Sequence, residues 1–201
     1  MAALGSATTM DAITALSSRR SYPVLTDPAP GQEDLHTILS AAAAGPDHGR
    51  HRPSRFVLVS GPGREAFGDV LAEAYRKACA ERGEEPDPAA EARERAKPMR
   101  APAIVAVVCV AGADEKVPRE ERIAASAAAT ENLLVAATAL GYGAMWRTGA
   151  AARDPHVKAA LGLAPGDDIV ALVYLGSIPA DQRTPPAQRE LDGLARTWPG
   201  P

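Results

Sequence analysis

AIVAVVCV (103–110) and DIVALVYL (168–175) decide the fold, because each is a nearly unbroken apolar run rich in valine and isoleucine. Such runs are typical of strands that are covered on both faces. Between them lies REERIAASAAATENLLVAATALG (119–141), which has a helical period and contains the polar pair Glu131 and Asn132. Its many small side chains predict either a central core helix or a helix at a subunit interface. None of these runs reaches the roughly 20 apolar residues of a membrane-spanning helix.

Further elements lie on either side of these runs. A short buried strand is predicted at RFVLVS (55–60), and a short strand leading into a loop at GAMWRTGA (143–150). The stretch PAAEARERAKPMR (88–100) belongs to a charged, helical, exposed excursion, which is either a lid or an inert surface. Helices are predicted at TMDAITALSS (9–18), GQEDLHTILSAAAA (31–44), GREAFGDVLAEAYRKACAERG (63–83) and DPHVKAALG (154–162).

Length and composition predict one ordinary domain. The 201 residues include two cysteines, Cys79 and Cys109, without CxxC spacing, so a reducing cytoplasm is predicted. A net charge of −3 provides no basic field for nucleic acid or anionic lipid. The first residues lack the pattern of a secretory signal. We expect a flexible tail at 1–9, a domain at 10–179 and a polar, proline-rich arm at 180–201 that packs on its own or a partner subunit.

The segment SRRS (18–21) has two interpretations. Arg19 and Arg20 at the end of a helix complement the helix dipole. Paired guanidinium groups beside the Ser21 hydroxyl also match a phosphate, which carries close to two negative charges at neutral pH. Local sequence does not separate these interpretations.

Two other motifs have weaker support. GPGREA (61–66) satisfies the pattern of a dinucleotide-binding turn, but no acidic residue ends a strand about 20 positions later. We therefore predict an ordinary tight turn there. His48 and His51 have a spacing that suits a metal, but Gly49 and Pro53 interrupt any regular helix and no other His or Cys is near in sequence, so no metal site is predicted.

The order of several motifs resembles that of the nitroreductase family of flavin-dependent oxidoreductases, in particular its compact single-domain bacterial members. The resemblance implies an α+β fold with a mixed, mainly antiparallel sheet flanked by helices, in an intertwined homodimer with FMN at the subunit interface. The stretches that carry it are SRRS (18–21), AGPDHGRHRP (44–53), KPMRAP (97–102), KVPRE (116–120), GYGAMWRTGA (141–150) and LVYLGS (172–177).

The resemblance also implies a role for particular residues. Arg19, Arg20 and Ser21 match the phosphate clamp of the family. His48 matches a position that meets the flavin from the partner chain, and Arg52, where many relatives have glutamine, would place a cation by the pyrimidine edge. Trp146, Arg147 and Thr148 match a loop that touches the flavin.

The expected activity is that of an FMN-dependent NAD(P)H oxidoreductase. Hydride passes to the flavin, the nicotinamide leaves, and a small-molecule acceptor such as a nitroaromatic, a quinone or an activated alkene then takes two electrons in a ping-pong scheme. No side-chain acid or base is predicted. The alternatives are a flavin-binding sensor without turnover, and specialised chemistry such as dehalogenation, desaturation or flavin fragmentation.

Four positions depart from the family pattern and affect the expected site. Many relatives have a polar group in place of Ala44, glutamine in place of Arg52 and tryptophan in place of Ser54. Some carry lysine at the position of Pro23. The differences at Arg52 and Ser54 concern the substrate and the redox potential.

Overall fold

A computed structural model describes residues 10–112, 117–182 and 192–198. The predicted tail at 1–9 and most of the predicted arm lie outside these ranges. The helices are α1 (Ala12–Ser18), α2 (Gln32–Ala43), α3 (Gly63–Glu81), α4 (Pro88–Ala96), α5 (Arg119–Ala139), α6 (Ala150–Arg153) and α7 (Pro155–Ala160), with short 3-10 turns at His48–Arg50, Lys97–Arg100 and Ala180–Gln182. The strands are β1 (Ser54–Ser60), β2 (Ala103–Cys109), β3 (Gly143–Arg147) and β4 (Asp168–Gly176).

The described strands form one sheet in the order β1-β2-β4-β3, and all neighbours in this order are antiparallel. Every residue of β2 is buried, which confirms the prediction from its unbroken apolar run. β1 contains the strand predicted at 55–60, but the prediction that this strand is buried was wrong. β1 is an edge strand in which only Val59 is buried and Leu58 is 45% exposed.

Helices cover both faces of the sheet, and the strands alternate their side chains between two cores. Ile104, Ala106 and Val108 of β2 face α3, α6 and α7, whereas Val105 and Val107 face α2 and α5. This period of two on a central strand explains why an apolar run without polar alternation was needed. The result is the predicted α+β architecture.

The predicted helices are present, and their ends follow the local sequence. Asp11 begins α1 by accepting hydrogen bonds from the backbone N–H groups of Ile13 and Thr14, each at 3.0 Å. Asp154 begins α7 in the same way, with Pro155 in the first turn. The apolar face of α1 is not in the core, since Ile13 is 73% exposed.

The charged excursion is helical, and it packs closely on α3. A Cβ atom on Gly68 would lie 2.4 Å from the carbonyl oxygen of Arg95, so only glycine permits this approach of the two helices. Arg76 of α3 binds Glu91 of α4, and Arg95 of α4 binds Asp69 of α3. These contacts anchor α4 to its own subunit.

The structure excludes a dinucleotide-binding turn at 61–66. Such a turn belongs to a βαβ unit with parallel strands. Here β1 and β2, the strands that α3 and α4 connect, run antiparallel with Ser60 opposite Ala103. In the described residues, no helix has the length and apolar character needed to cross a membrane.

Candidate functional site

The segment after α1 is fixed along the outer edge of β3. Ser21 forms a parallel bridge with Ala144, and the N–H of Tyr22 donates to the carbonyl oxygen of Ala144 at 3.2 Å. This bridge adds the parallel component of the predicted mixed sheet. Gly143 permits the packing beside it, because a Cβ atom there would lie 2.4 Å from Cδ2 of Leu25.

Arg19 does not act as the basic end of its own helix. Its backbone is already extended, and the last turn of α1 contains no basic residue. Its Nε instead donates to Oε1 of Glu131 on α5 at 3.0 Å, with 29% of the Arg19 side chain exposed. Ser21 is exposed next to it. These contacts argue against the helix-dipole interpretation of Arg19, and phosphate binding by the triplet stays a prediction.

Trp146 and Arg147 lie on opposite faces of the sheet, as neighbours in a strand must. Trp146 packs in the core under α2 and α5, and its Nε1 donates to the carbonyl oxygen of Val170 at 3.2 Å. The guanidinium of Arg147 lies 5.1 Å from the ring centroid of Tyr174, which belongs to the opposite core. Thr148 follows β3 and is exposed.

Arg147 also joins β3 to the segment after the triplet. Its Nη2 donates to the carbonyl oxygen of Pro23 at 2.9 Å. Burial lowers the pKa of Arg147, and Arg100 lowers it further, while Tyr174 acts in the opposite direction. Burial raises the pKa of Tyr174, although Arg147 and Arg100 both oppose this rise.

The loop that carries His48 and Arg52 is open to solvent. Nδ1 of His48 contacts Oε2 of Glu121 in the first turn of α5, and the His48 side chain is 62% exposed. Arg50 and Arg52 have φ values of 60° and 46°, which non-glycine residues rarely adopt. A carboxylate oxygen of Asp47 accepts from the backbone N–H of Arg52.

Within one subunit the candidate residues form two groups. One group lies at or near β3 and comprises Arg19, Arg20, Ser21, Trp146, Arg147 and Thr148. The other group lies in the loop whose His48 contacts the amino end of α5, and it comprises His48 and Arg52. Arg19 and His48 contact Glu131 and Glu121, which are ten residues apart on α5. This corresponds to about 15 Å along the helix axis. One chain does not bring the two groups together.

The described residues contain no group of three or more His, Cys, Asp or Glu side chains arranged for a metal ion. The ring of His48 instead meets Glu121, while the His51 ring lies beside the α-carbon of Gly49.

Three of the positions that depart from the family pattern have defined local environments. Ser54 lies against α5, where its hydroxyl donates to Oγ of the fully buried Ser126 at 3.0 Å. A tryptophan side chain would not fit that close contact. Ala44 ends α2 as its C-cap residue, and Arg52 adopts the left-handed backbone described above.

The sequence did not indicate several residues that organise the site. Glu131 was visible only as a polar interruption in an apolar helix, and it proves to be the partner of Arg19. Tyr174 is part of an apolar run, and Pro23 contributes only a backbone carbonyl. These contacts depend on long-range packing and have no local sequence signal.

Comparison with known proteins places the chain in a family. The profile of the nitroreductase family matches residues 16–177. The Escherichia coli K12 protein named "Putative NAD(P)H nitroreductase YdjA" is 38% identical over 168 residues, which cover 84% of this chain and 88% of that protein.

Two solved structures share the fold. The nitroreductase-like family protein from Bacillus cereus superposes with a TM-score of 0.78 at 23% identity and covers 98% of this chain and 100% of its own. A nitroreductase with bound FMN from Bacteroides fragilis has a TM-score of 0.71 at 22% identity and covers 94% of this chain and 99% of its own.

Proposed function

This chain belongs to the nitroreductase family, and from that premise we propose that it is an FMN-dependent NAD(P)H oxidoreductase. One observation carries the proposal: Arg19 and the exposed Ser21 are held beside β3, on the strand edge next to Trp146. A cation and a hydroxyl on a fixed backbone suit the phosphate of FMN. The Bacteroides fragilis relative in which FMN is bound has the same fold.

The residues at the β3 edge fit a phosphate-bearing cofactor. The ion pair with Glu131 occupies Nε of Arg19, and the terminal nitrogens of Arg19 form no hydrogen bond within the described residues. The Ser21 bridge to Ala144 uses the backbone, so its hydroxyl remains available. In this proposal Arg19, Arg20 and Ser21 hold the phosphate end, and Trp146 with Thr148 limits where the ring system lies.

When bound, FMN supplies the redox chemistry, which is the exchange of two electrons and a proton between NAD(P)H and an acceptor. The chain binds and orients the reactants. The acceptor classes we propose are nitroaromatics, quinones and activated alkenes. The nicotinamide and the acceptor occupy the same site one after the other. Positive charge from Arg52 or Arg147 stabilises an anionic reduced state, and the proton for the product comes from water.

We further propose a homodimer in which each site combines both subunits. His48 and Arg52 lie about 15 Å along α5 from the triplet, so a partner chain is needed to bring them to it. α5 has an incompletely covered stripe of small residues, with Ala124 exposed and Ala128 and Val135 half-buried. Such side chains allow a second helix to approach closely. Met10, Ile13 and Leu16 of α1 add exposed apolar surface.

The decisive test is spectroscopic. The purified protein is expected to be yellow, to release FMN on denaturation, and to lose its flavin absorbance when NADPH or NADH is added without oxygen. Addition of a quinone or nitroaromatic should restore the absorbance. A colourless protein that does not bind added FMN would refute the proposal, and rapid binding without reduction would identify a flavin-binding sensor.

Steady-state kinetics and mass measurements test the remaining parts. Double-reciprocal plots at several acceptor concentrations should give parallel lines, and intersecting lines would contradict alternating occupation of one site. Light scattering should give a dimer mass, which Ala128→Arg should reduce to that of a monomer. Activity measured with halogenated and with saturated substrates distinguishes dehalogenation or desaturation from nitro or quinone reduction.

A further inference from the structure

Glu131 is a charged residue on a face of α5 that also carries small and apolar side chains. It lies three residues after Ala128 and four before Val135, so these residues share one face of the helix. Ala128 and Val135 are half-buried, and 41% of the Glu131 side chain is exposed. Its partner is Arg19, whose Nε donates to Oε1 of Glu131 at 3.0 Å. A carboxylate and a guanidinium thus meet on a face that one subunit leaves partly uncovered.

The helix holds the Glu131 carboxylate in a fixed place. Thr130 before it is fully buried, and its Oγ1 donates to the carbonyl oxygen of Ser126 at 2.8 Å. Asn132 after it donates from Nδ2 to the carbonyl oxygen of Ala41 on α2 at 3.1 Å. Because both neighbours are anchored, the backbone of Glu131 cannot shift without loss of packing or of a hydrogen bond between helices.

The backbone of Arg19 is fixed as well, but its side chain has a single anchor. The N–H of Arg19 donates to the carbonyl oxygen of Ala15, the buried residue of α1, at 3.1 Å, and Ser21 is bridged to β3. Within the described residues, the side chain of Arg19 makes its one polar contact with Glu131. Long side chains such as arginine lose much rotamer freedom when a ligand fixes them. The contact with Glu131 removes part of that freedom in advance.

We infer that Glu131 is a positioning residue for the phosphate of FMN. The guanidinium is planar, so a hydrogen bond at Nε of Arg19 fixes the plane and leaves the terminal nitrogens for the ligand. A cation that is oriented before binding gives a higher affinity than one that must be ordered. This inference rests on the proposed function, which assigns Arg19 to the phosphate.

Two neutral substitutions isolate the hydrogen bond from the charge. Glu131→Gln keeps an oxygen that accepts from Nε of Arg19, whereas Glu131→Met has a similar length and no such acceptor. Both remove the carboxylate charge, and both side chains suit a helix. Glu131→Met should bind FMN about 3- to 10-fold more weakly than Glu131→Gln, which is the range for one hydrogen bond. Fluorescence titration of the two apoproteins with FMN measures the difference.

Riboflavin, which lacks the phosphate, distinguishes a positioning role from a structural one. The Gln and Met variants should bind riboflavin equally. In an Arg19→Ala background they should also bind FMN equally, because the group that Glu131 orients is gone. Glu81→Met is the control: it removes an exposed carboxylate from α3, on the other face of the sheet, and should bind FMN like the wild type.

The outcomes separate this inference from the proposed function. If the wild type binds FMN and the Gln and Met variants do so with equal affinity, only the role of Glu131 is refuted. An equal loss of FMN and riboflavin affinity in Glu131→Met would also overturn it, since Glu131 would then support only the packing of α5. A wild type that binds no FMN would refute the proposed function and this inference together.

Discussion

Two arginine-rich segments of the chain, 18–21 and 48–55, contact α5 in different ways. In the first, Arg19 reaches Glu131 near the middle of the helix, and the backbone beside it is bonded to β3. In the second, His48 contacts Glu121 in the first helical turn. The loop that carries His48 is exposed, and two of its arginines have a left-handed backbone conformation. The first segment is fixed by contacts with α5 and β3 of its own subunit. The second segment contacts α5 on one side and is open to solvent on the other.

This difference indicates that the two segments contribute to ligand binding in different ways. A preorganised group loses little conformational entropy when a ligand binds, and the strand edge provides this for Arg19 and Ser21. An exposed loop with unfavourable backbone angles can take part in binding when another surface packs against it. We infer that the first segment determines cofactor affinity and that the second modifies the site from across an interface.

The largest effect is expected from removing the fixed cation. Arg19→Ala should weaken FMN binding by about 10- to 100-fold, since it removes a charge-assisted hydrogen bond to phosphate. Fluorescence titration of the apoprotein with FMN measures this. Arg93→Ala is the control and should bind FMN normally. Unchanged affinity in Arg19→Ala would refute the assignment of the triplet.

The rigidity of the strand edge is tested at Gly143. Gly143→Ala places a Cβ atom 2.4 Å from Cδ2 of Leu25 and 2.8 Å from Cγ1 of Ile178, so packing must shift. We expect a loss of about 1–3 kcal/mol in the free energy of unfolding, measured in urea. Gly31→Ala is the matched control, because a Cβ atom at Gly31 meets nothing within 4 Å. Equal stability of the two variants would show that the edge is adaptable.

Mixed dimers test whether the second segment acts across an interface. Arg19→Ala and His48→Ala subunits should each form impaired homodimers. If His48 serves the partner site, random mixing restores about a quarter of the sites, because half of the dimers are hybrids and each hybrid has one intact site. NADPH oxidation after unfolding and refolding the mixture measures the recovery. Activity equal to the average of the two parents would place both residues in one subunit.

The smallest effect is expected for the contact beneath the loop. Glu121→Gln should change the free energy of unfolding by only about 0–1 kcal/mol, since the pair with His48 is solvent-exposed. Thermal unfolding at low and high salt measures this. A large loss of stability would mean that the loop is more firmly held than its exposure indicates.

The fold was predictable where the local pattern and the packing agree. The unbroken runs at β2 and β4 and the helical period of α5 appear as expected. The run RFVLVS (55–60) was predicted to be a buried strand. The content of a short run does not reveal its place in the sheet order, and β1 is at an edge.

The candidate site was predictable only as a set of residues. The sequence indicated Arg19, Ser21 and Trp146, but it did not indicate that Glu131 would bind Arg19. It also grouped Trp146 with Arg147, although strand alternation directs them to opposite cores. Long-range register and packing decide such contacts, and neither is encoded within a few neighbouring residues.

The alternation of side chains along β3 limits which changes of sequence length the fold tolerates. An insertion or deletion of one residue within β3, ahead of Trp146, would exchange the environments of Trp146 and Arg147. The indole would then enter the space beside Tyr174, and the guanidinium would face the helix that bears Glu131. Changes of length within this strand are therefore far more damaging than substitutions there, and we expect length differences to be confined to the loops.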